Sequence, residues 1–290
     1  MRYDAVRYAQ DCEGAIKMKM SKLCERVGMS RQNGYKARRA RQRKQVDERL
    51  VKSLVNAERA LQPRLGGLKL HFLLREQLQA EGVKLGRDRF FDVLRSQDLL
   101  LEALPKSPRT TNSAHNLPVF TNLIKDMEPS GPNQVWTCDI TFIRTREDFV
   151  YLSLITDKYS RKIVGYHLAR TLTAQDTLRA LDMALRGLPE GARPIHHSDR
   201  GSQYCSHEYV NRLTSHGLKI SMTEQDHCAE NAMAERVNGI LKQEYFLKNE
   251  FRSVAQARKA VDEAVHLYNT RRPHRSLKLQ TPEHVHSNAG

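Results

Sequence analysis

The clearest pattern along the chain is an alternation of apolar and polar positions over residues 135–142. Trp136, Cys138, Ile140 and Phe142 fall on one side, and Val135, Thr137, Asp139 and Thr141 on the other, as the two-residue period of a strand requires. Residues 149–156 and 162–168 predict two more strands, and the short turns between the three predict an antiparallel meander. Thr173 is placed to cap a helix over 173–185, with Leu178, Leu181 and Leu185 on its inner face. A short strand at 195–198, a helix at 206–216, a strand at 218–222 and a helix at 232–247 follow. Ser253 caps a last long helix ending near Tyr268. This order predicts a mixed α/β layered domain with a meander at one edge.

The N-terminal part reads as helical throughout. Residues 21–27 predict a short helix with Leu23 and Val27 on one face, Gly28-Met29 a turn, and Ser30 the N-cap of a second helix. Helix, Gly-bearing turn and basic helix together match the helix-turn-helix pattern. Arg31, Gln32, Asn33 and Lys36, followed by Arg38 and Arg39, then stand where base edges and phosphates are reached. An ordinary basic helical hairpin fits the same residues. Leu70, Leu73, Leu74 and Leu78 mark one face of a further helix, and Phe90, Val93 and Leu94 that of its partner, rimmed by Lys84, Arg87, Arg89 and Arg95.

Five of the ten prolines lie in residues 103–132, which predicts an extended linker. The resulting division is a basic helix-turn-helix-like segment (1–45), a second helical pair (46–102), the linker (103–132), an α/β core (133–250) and a C-terminal helix with a basic tail (251–290).

Charge separates these parts. The chain carries 48 Lys and Arg against 33 Asp and Glu, a net +15. Residues 1–110 hold 25 basic and 13 acidic side chains, whereas the remainder is nearly balanced. A basic arm on a near-neutral body points to a nucleic-acid partner. No apolar run approaches the roughly 18 residues of a membrane span, and the first ten residues do not read as a signal peptide. The five cysteines form no Cys-x-x-Cys pair, so structural zinc is not expected; free thiols point to a reducing, cytoplasmic setting.

The candidate chemistry lies in carboxylates. Asp139 sits inside an apolar strand, which costs free energy unless the acid is paired, hydrogen-bonded or metal-bound. Asp199 follows a short strand and precedes a Gly-bearing loop, the sheet edge where α/β proteins bind ligands. Glu235 shares a helix face with Asn238 and Lys242, opposite the apolar stripe of Met233, Val237 and Leu241. Three converging carboxylates suit two Mg²⁺ or Mn²⁺ ions. Glu224, Asp226 and Glu230 compete with Glu235 on position, Glu244 reads as surface solvation, and Asp157 as the partner of Lys158 or Arg161. Tyr268, Arg271, Arg272 and His274 could clamp DNA or dock the tail.

Thirty-five residues separate Asp199 from Glu235, and 59 separate Asp139 from Asp199. Together with Pro132-Asn133-Gln134-Val135-Trp136, the stretch 197–204, Asn231-Ala232, Leu241-Lys242-Gln243-Glu244, Tyr268-Asn269, Arg272-Pro273-His274 and Thr281-Pro282, this spacing resembles the DDE transposases, and more closely the insertion-sequence transposases of the IS-three family. The resemblance implies an RNase H-like core with Asp139, Asp199 and Glu235 as catalytic, metal-binding triad, and Lys242 and Asn238 at the DNA. It also implies double-stranded DNA partners (terminal inverted repeats and target), a homo-oligomer on paired ends, and an upstream-frame partner protein. Two departures stand out: Glu230 occupies a position where the family often has Asp, and residues 65–69 match its second helical pair poorly. A hydrolytic nuclease of the same fold, or a non-catalytic regulator derived from a transposase, are the alternative readings.

Overall fold

The computed structural model describes residues 20–26, 28, 30–102, 117–224 and 231–288. The described residues fall into two compact units, one drawn from Met1–Ala57 and Leu74–Leu100, the other from Glu58–Leu73 and Leu101–Gly290.

In the first unit, α1 (Met20–Arg26) ends at Gly28, whose φ of 63° is a left-handed conformation that glycine adopts without strain. Ser30 Oγ then accepts from the backbone N–H of Asn33 at 3.3 Å, the expected cap. The helix it opens, α2 (Arg31–Leu61), runs without a break through the boundary expected at residue 45. Two further helices carry the predicted apolar stripes, α3 (Gly67–Ala80), of which the residues from Leu74 on belong to this unit, and α4 (Arg87–Ser96); Leu74, Leu78, Phe90, Val93 and Leu94 are all buried. Val51 and Val55 of α2 are fully buried as well.

The second unit is built on a five-stranded sheet. Its strands are β1 (Val135–Arg144), β2 (Phe149–Asp157), β3 (Ile163–Ala169), β4 (Ile195–Ser198) and β5 (Lys219–Met222). They lie in the order β3-β2-β1-β4-β5, antiparallel through the meander and parallel from β1 to β5. One face is covered by α5 (Ala174–Arg186) and α6 (His207–Ser215), packed on Trp136, Cys138 and Ile155. The other is covered by α7 (Ala232–Glu244) and α8 (Val254–Thr270), packed on Ile143, Leu152, Leu154 and Leu168. The alternation of β1 thus sends Trp136 and Cys138 to one layer and Asp139 toward the other. This is the three-layer, RNase H-like arrangement expected of the core. Thr173, Ser206 and Ser253 each cap their helix with a side-chain oxygen, as their positions predict. A 3₁₀ turn (Arg275–Leu277) and α9 (Pro282–Ser287), neither anticipated, close the chain. Among the described residues no helix is long and apolar enough to cross a membrane.

Much of the expected linker, 103–116, lies outside the described residues. The rest is not a free tether. Leu123 donates its backbone N–H to Ser221 Oγ at 2.8 Å, and Lys158 Nζ donates to the Met127 carbonyl at 2.6 Å, strapping 117–132 to the core. Asp157 is structural, but not through Lys158 or Arg161 side chains: it accepts from Asn133 N–H, Ser160 N–H and Ser160 Oγ at 2.7–2.8 Å. Burial raises its carboxyl, but His286 and then these donors hold it below the usual range.

Layer spacing is tightest at Gly165 on β3. A Cβ there would lie 2.3 Å from the Ala180 carbonyl and 2.9 Å from Ala184 Cβ, both on α5. Gly165→Ala must therefore lift α5 from the sheet, an overpacking cost of about 1–3 kcal/mol. A lowered midpoint in thermal or urea unfolding is the expected result; an unchanged midpoint would mean that α5 yields freely.

Candidate active site

Strand register brings the first two acids together. In the parallel β1–β4 pair, Thr137 stands opposite His197, an offset of 60 residues. Two residues further on lie Asp139, inside β1, and Asp199, just past the end of β4, separated by the same 60. Continuing that register puts both acids on one face, beside the carboxyl end of β4.

Asp139 is half-buried. Burial, then the charges of Asp199 and, least, Glu235 push its carboxyl up to about 7, against the pull of an Asn238 hydrogen bond. Asp199 Oδ1 accepts from the backbone N–H of Gly201 at 3.0 Å. A Cβ on Gly201 would come within 3.1 Å of that same oxygen, so the loop glycine leaves the carboxylate room. Glu235 stands in the first turn of α7, exposed to solvent. Among the described residues no three His, Cys, Asp or Glu side chains form a ready-made ion cage. Asp226 and Glu230, two of the rivals to Glu235, lie outside the described residues, and Glu224 is tied to the strap through the Asn122 N–H at 2.8 Å.

Helix α7 is pinned to β1 by two asparagines. Asn231 Nδ2 donates to the Cys138 carbonyl at 3.1 Å, and Asn238 Nδ2 donates to Asp139 Oδ2 at 2.6 Å. Asn238, expected to contact DNA, is buried and spends its amide on the acid. The sequence does place it one turn after Glu235 on the same face, which is the signal for this role. Lys242, two turns from Glu235, is half-buried, with its Nζ 4.2 Å above the Phe142 ring. Burial pulls its ammonium down from the usual lysine range, and nearby Asp139 opposes that pull.

Other expected contacts separate. Gln32, Asn33, Lys36 and Arg39 are exposed on α2, while the side chains of Arg31 and Arg38 lie outside the described residues. Arg271 and Arg272 do not form a free clamp. Arg271 forks onto Glu58, at 2.9 Å through Nε and 2.6 Å through Nη2. Arg272, only 3% exposed, forks onto Glu244 with both bonds at 2.8 Å, and its third nitrogen meets His274 Nε2 at 2.9 Å. Glu244 also faces Lys69 Nζ at 3.5 Å. Glu244 is thus a half-buried acid held between two cations rather than a solvated surface group, and although burial raises its carboxyl, Arg272 and then Lys69 keep it below the usual range. Glu58 and Lys69 escaped sequence reading altogether, since their partners lie about 200 residues away.

Residues 129–228 match the family described as integrase core domain, and residues 216–282 match a second family of that description. The fold is also similar to the HTLV-2 integrase catalytic core domain solved with magnesium (21% identity, TM-score 0.44, 55% of this chain and 99% of that one). The transposase InsF for insertion sequence IS3A of Escherichia coli strain K12 is 38% identical over 172 residues. That alignment spans 59% of this chain and 60% of InsF. The uncharacterized 31 kDa protein of insertion element IS600 from Shigella sonnei is 36% identical over 264 residues, 90% of this chain and 96% of that one. With integrase core matches over its α/β unit and an insertion-element relative along nearly its full length, the chain belongs to the IS3 family of insertion-sequence transposases.

Proposed function

We propose that Asp139, Asp199 and Glu235 form the metal-dependent centre at which this transposase cuts and rejoins DNA at the ends of its element. One observation supports the reading: the β1–β4 register, continued two residues beyond Thr137 and His197, brings Asp139 beside Asp199, and Asp139 feels the charges of both Asp199 and Glu235. The donor set fits hard cations. It is all oxygen, and the raised carboxyl of Asp139 reflects burial first and the charge of Asp199 second, both of which a divalent ion would offset.

Asp139, Asp199 and Glu235 would hold two Mg²⁺ or Mn²⁺ ions, which when bound supply Lewis-acid activation and charge neutralisation at the phosphorus. The chain's own groups do the positioning. Asn238 fixes the Asp139 carboxylate, and the Gly201 N–H fixes that of Asp199. Lys242 offers a point charge to a phosphate near the scissile bond. Water attacks the terminal phosphodiester and releases a 3′-hydroxyl, which then attacks a second phosphodiester. Neither step needs a covalent protein–DNA link, so no activated Ser or Tyr is required. The exposed polar residues of α2, Gln32, Asn33, Lys36 and Arg39, grip the terminal inverted repeats. At least two copies work on paired ends, with an upstream-frame protein as a further partner.

Purified protein incubated with labelled end DNA and Mg²⁺ should yield a nick at the element's terminus and a joined product on a denaturing gel. EDTA should abolish both. Cleavage that persists in EDTA, or none with either Mg²⁺ or Mn²⁺, would overturn the reading.

A further inference from the structure

On another face of α7, away from Glu235, lies a cavity of about 390 Å³. Its wall includes Lys69, Arg161, Arg236 and Arg275, with the buried Tyr268 and His274 behind them. Met233, Arg236, Val237 and Ile240 recur at i, i+3, i+4 and i+7, so the helix presents this face separately from the one bearing Glu235, Asn238 and Lys242.

The charge in this cavity is one-sided. Arg272 and Lys69 share the single acid Glu244. Arg161, Arg236 and Arg275 have no ion pair or hydrogen bond from their side chains among the described residues. The neighbours feel this excess. Burial and then the charges of Arg272, Lys69, Arg161 and Arg236 push His274 down to about 2, and burial with Arg272 pulls Lys69 down to about 8. A neutral His274 is the form whose Nε2 can accept from Arg272, so imidazole and guanidinium are locked as the rear wall. Tyr268 supplies an independent sign of a ligand. It is fully buried and lines the cavity, yet its hydroxyl finds no partner among the described residues. A buried hydroxyl left without a partner is costly, and an anionic oxygen at the cavity would offset that cost.

We propose that this cavity is an anion site that seats a backbone phosphate of bound DNA, held by Lys69, Arg161, Arg236 and Arg275. Arg236 follows Glu235 directly in α7, so the cavity borders the helix face that bears Glu235. The phosphate would then set the register of the duplex relative to the scissile bond. The proposal rests on the DNA-joining function above but uses none of the catalytic groups.

The test compares the full-length protein with the double variant Arg161→Ala/Arg275→Ala, and with Lys219→Ala/Lys259→Ala as an equal loss of charge elsewhere. Two measurements are made: end-DNA affinity across a salt series, and melting with and without inorganic phosphate. The cavity variant should bind DNA about tenfold more weakly at low salt, with a salt slope smaller by about 0.9, the value for one lost phosphate contact. Inorganic phosphate should raise the melting temperature of the parent and of the Lys219/Lys259 control, but not of the cavity variant. All three should melt alike without phosphate. An unchanged salt slope overturns the proposal, even where end cleavage proceeds normally and the catalytic reading stands. A lost phosphate effect with an unchanged slope assigns the cavity to another anion, such as an acidic segment of a second copy, and also overturns it. If the parent binds no end DNA, the catalytic reading fails together with this one.

Discussion

Asp139→Asn, Asp199→Asn and Glu235→Gln are each expected to cut end cleavage and strand joining by at least about 10³-fold, roughly 4 kcal/mol of barrier, with end-DNA affinity nearly unchanged. Each substitution keeps size and hydrogen-bonding capacity while removing one anionic oxygen donor. DNA affinity rests on other groups and should persist. Any one of the three retaining Mg²⁺-dependent strand transfer would remove that residue from the centre. Asp139→Asn has a second consequence that activity does not report. The folded-state carboxyl sits near 7, against 3.8 for the unperturbed group. The folded protein therefore binds this proton more tightly than the unfolded chain does. No stability is forfeited below about pH 3.8; as pH rises through 7 the cost grows, to at most about 4 kcal/mol. Asparagine carries no such cost, and the Asn238 amide can turn to present its carbonyl. In EDTA the variant should melt above the parent at pH 8 and match it near pH 4. Equal melting at pH 8 would mean that Asp139 is not held against its charge.

Glu244→Ala should be the most destabilising single change in the C-terminal unit. Glu244 accepts both bonds of the Arg272 fork and faces Lys69. Its removal leaves a guanidinium that is 97% buried with no counter-charge beside a depressed lysine, a loss of about 3–5 kcal/mol. For a unit of this size that is roughly 6–20 °C in melting temperature. Glu244→Gln should fall between the two, since it keeps an acceptor but not the charge. The pair Glu244→Met/Arg272→Met should recover much of the loss, because apolar replacement of both partners removes the desolvation penalty along with the attraction. A small effect of Glu244→Ala, below about 1 kcal/mol, would show that water reaches Arg272 and the pair acts as a surface bridge.

The parts of this architecture that local chemistry encodes were legible. Period-two alternation marked β1 and separated the Trp136 side from the Asp139 side, and Thr173, Ser206 and Ser253 announced their helices. Asp139 stood out as an acid inside an apolar strand, and Asp199 as an acid between a short strand and a Gly-bearing loop. What escaped was long-range pairing. Glu244 has the helical spacing of a solvated residue, and only a lysine 175 positions earlier and an arginine 28 positions later convert it into a buried junction. Arg271 and Arg272 read as a basic tail for the same reason, because Glu58, 213 residues before Arg271, leaves no trace near it. Proline counts in 103–132 signalled extended backbone correctly but said nothing about Leu123 and Met127 fastening it to the core.

The assignment of Glu58–Leu73 to the C-terminal unit bears on how this protein can be dissected. A fragment cut at the proline-rich stretch, the natural place to divide the sequence by eye, would discard Glu58 and Lys69. Arg271 would then lose its only carboxylate among the described residues, and Glu244 one of its two cations. Anyone isolating the α/β part for crystallisation or binding work should start ahead of residue 58, or supply the missing stretch as a separate peptide.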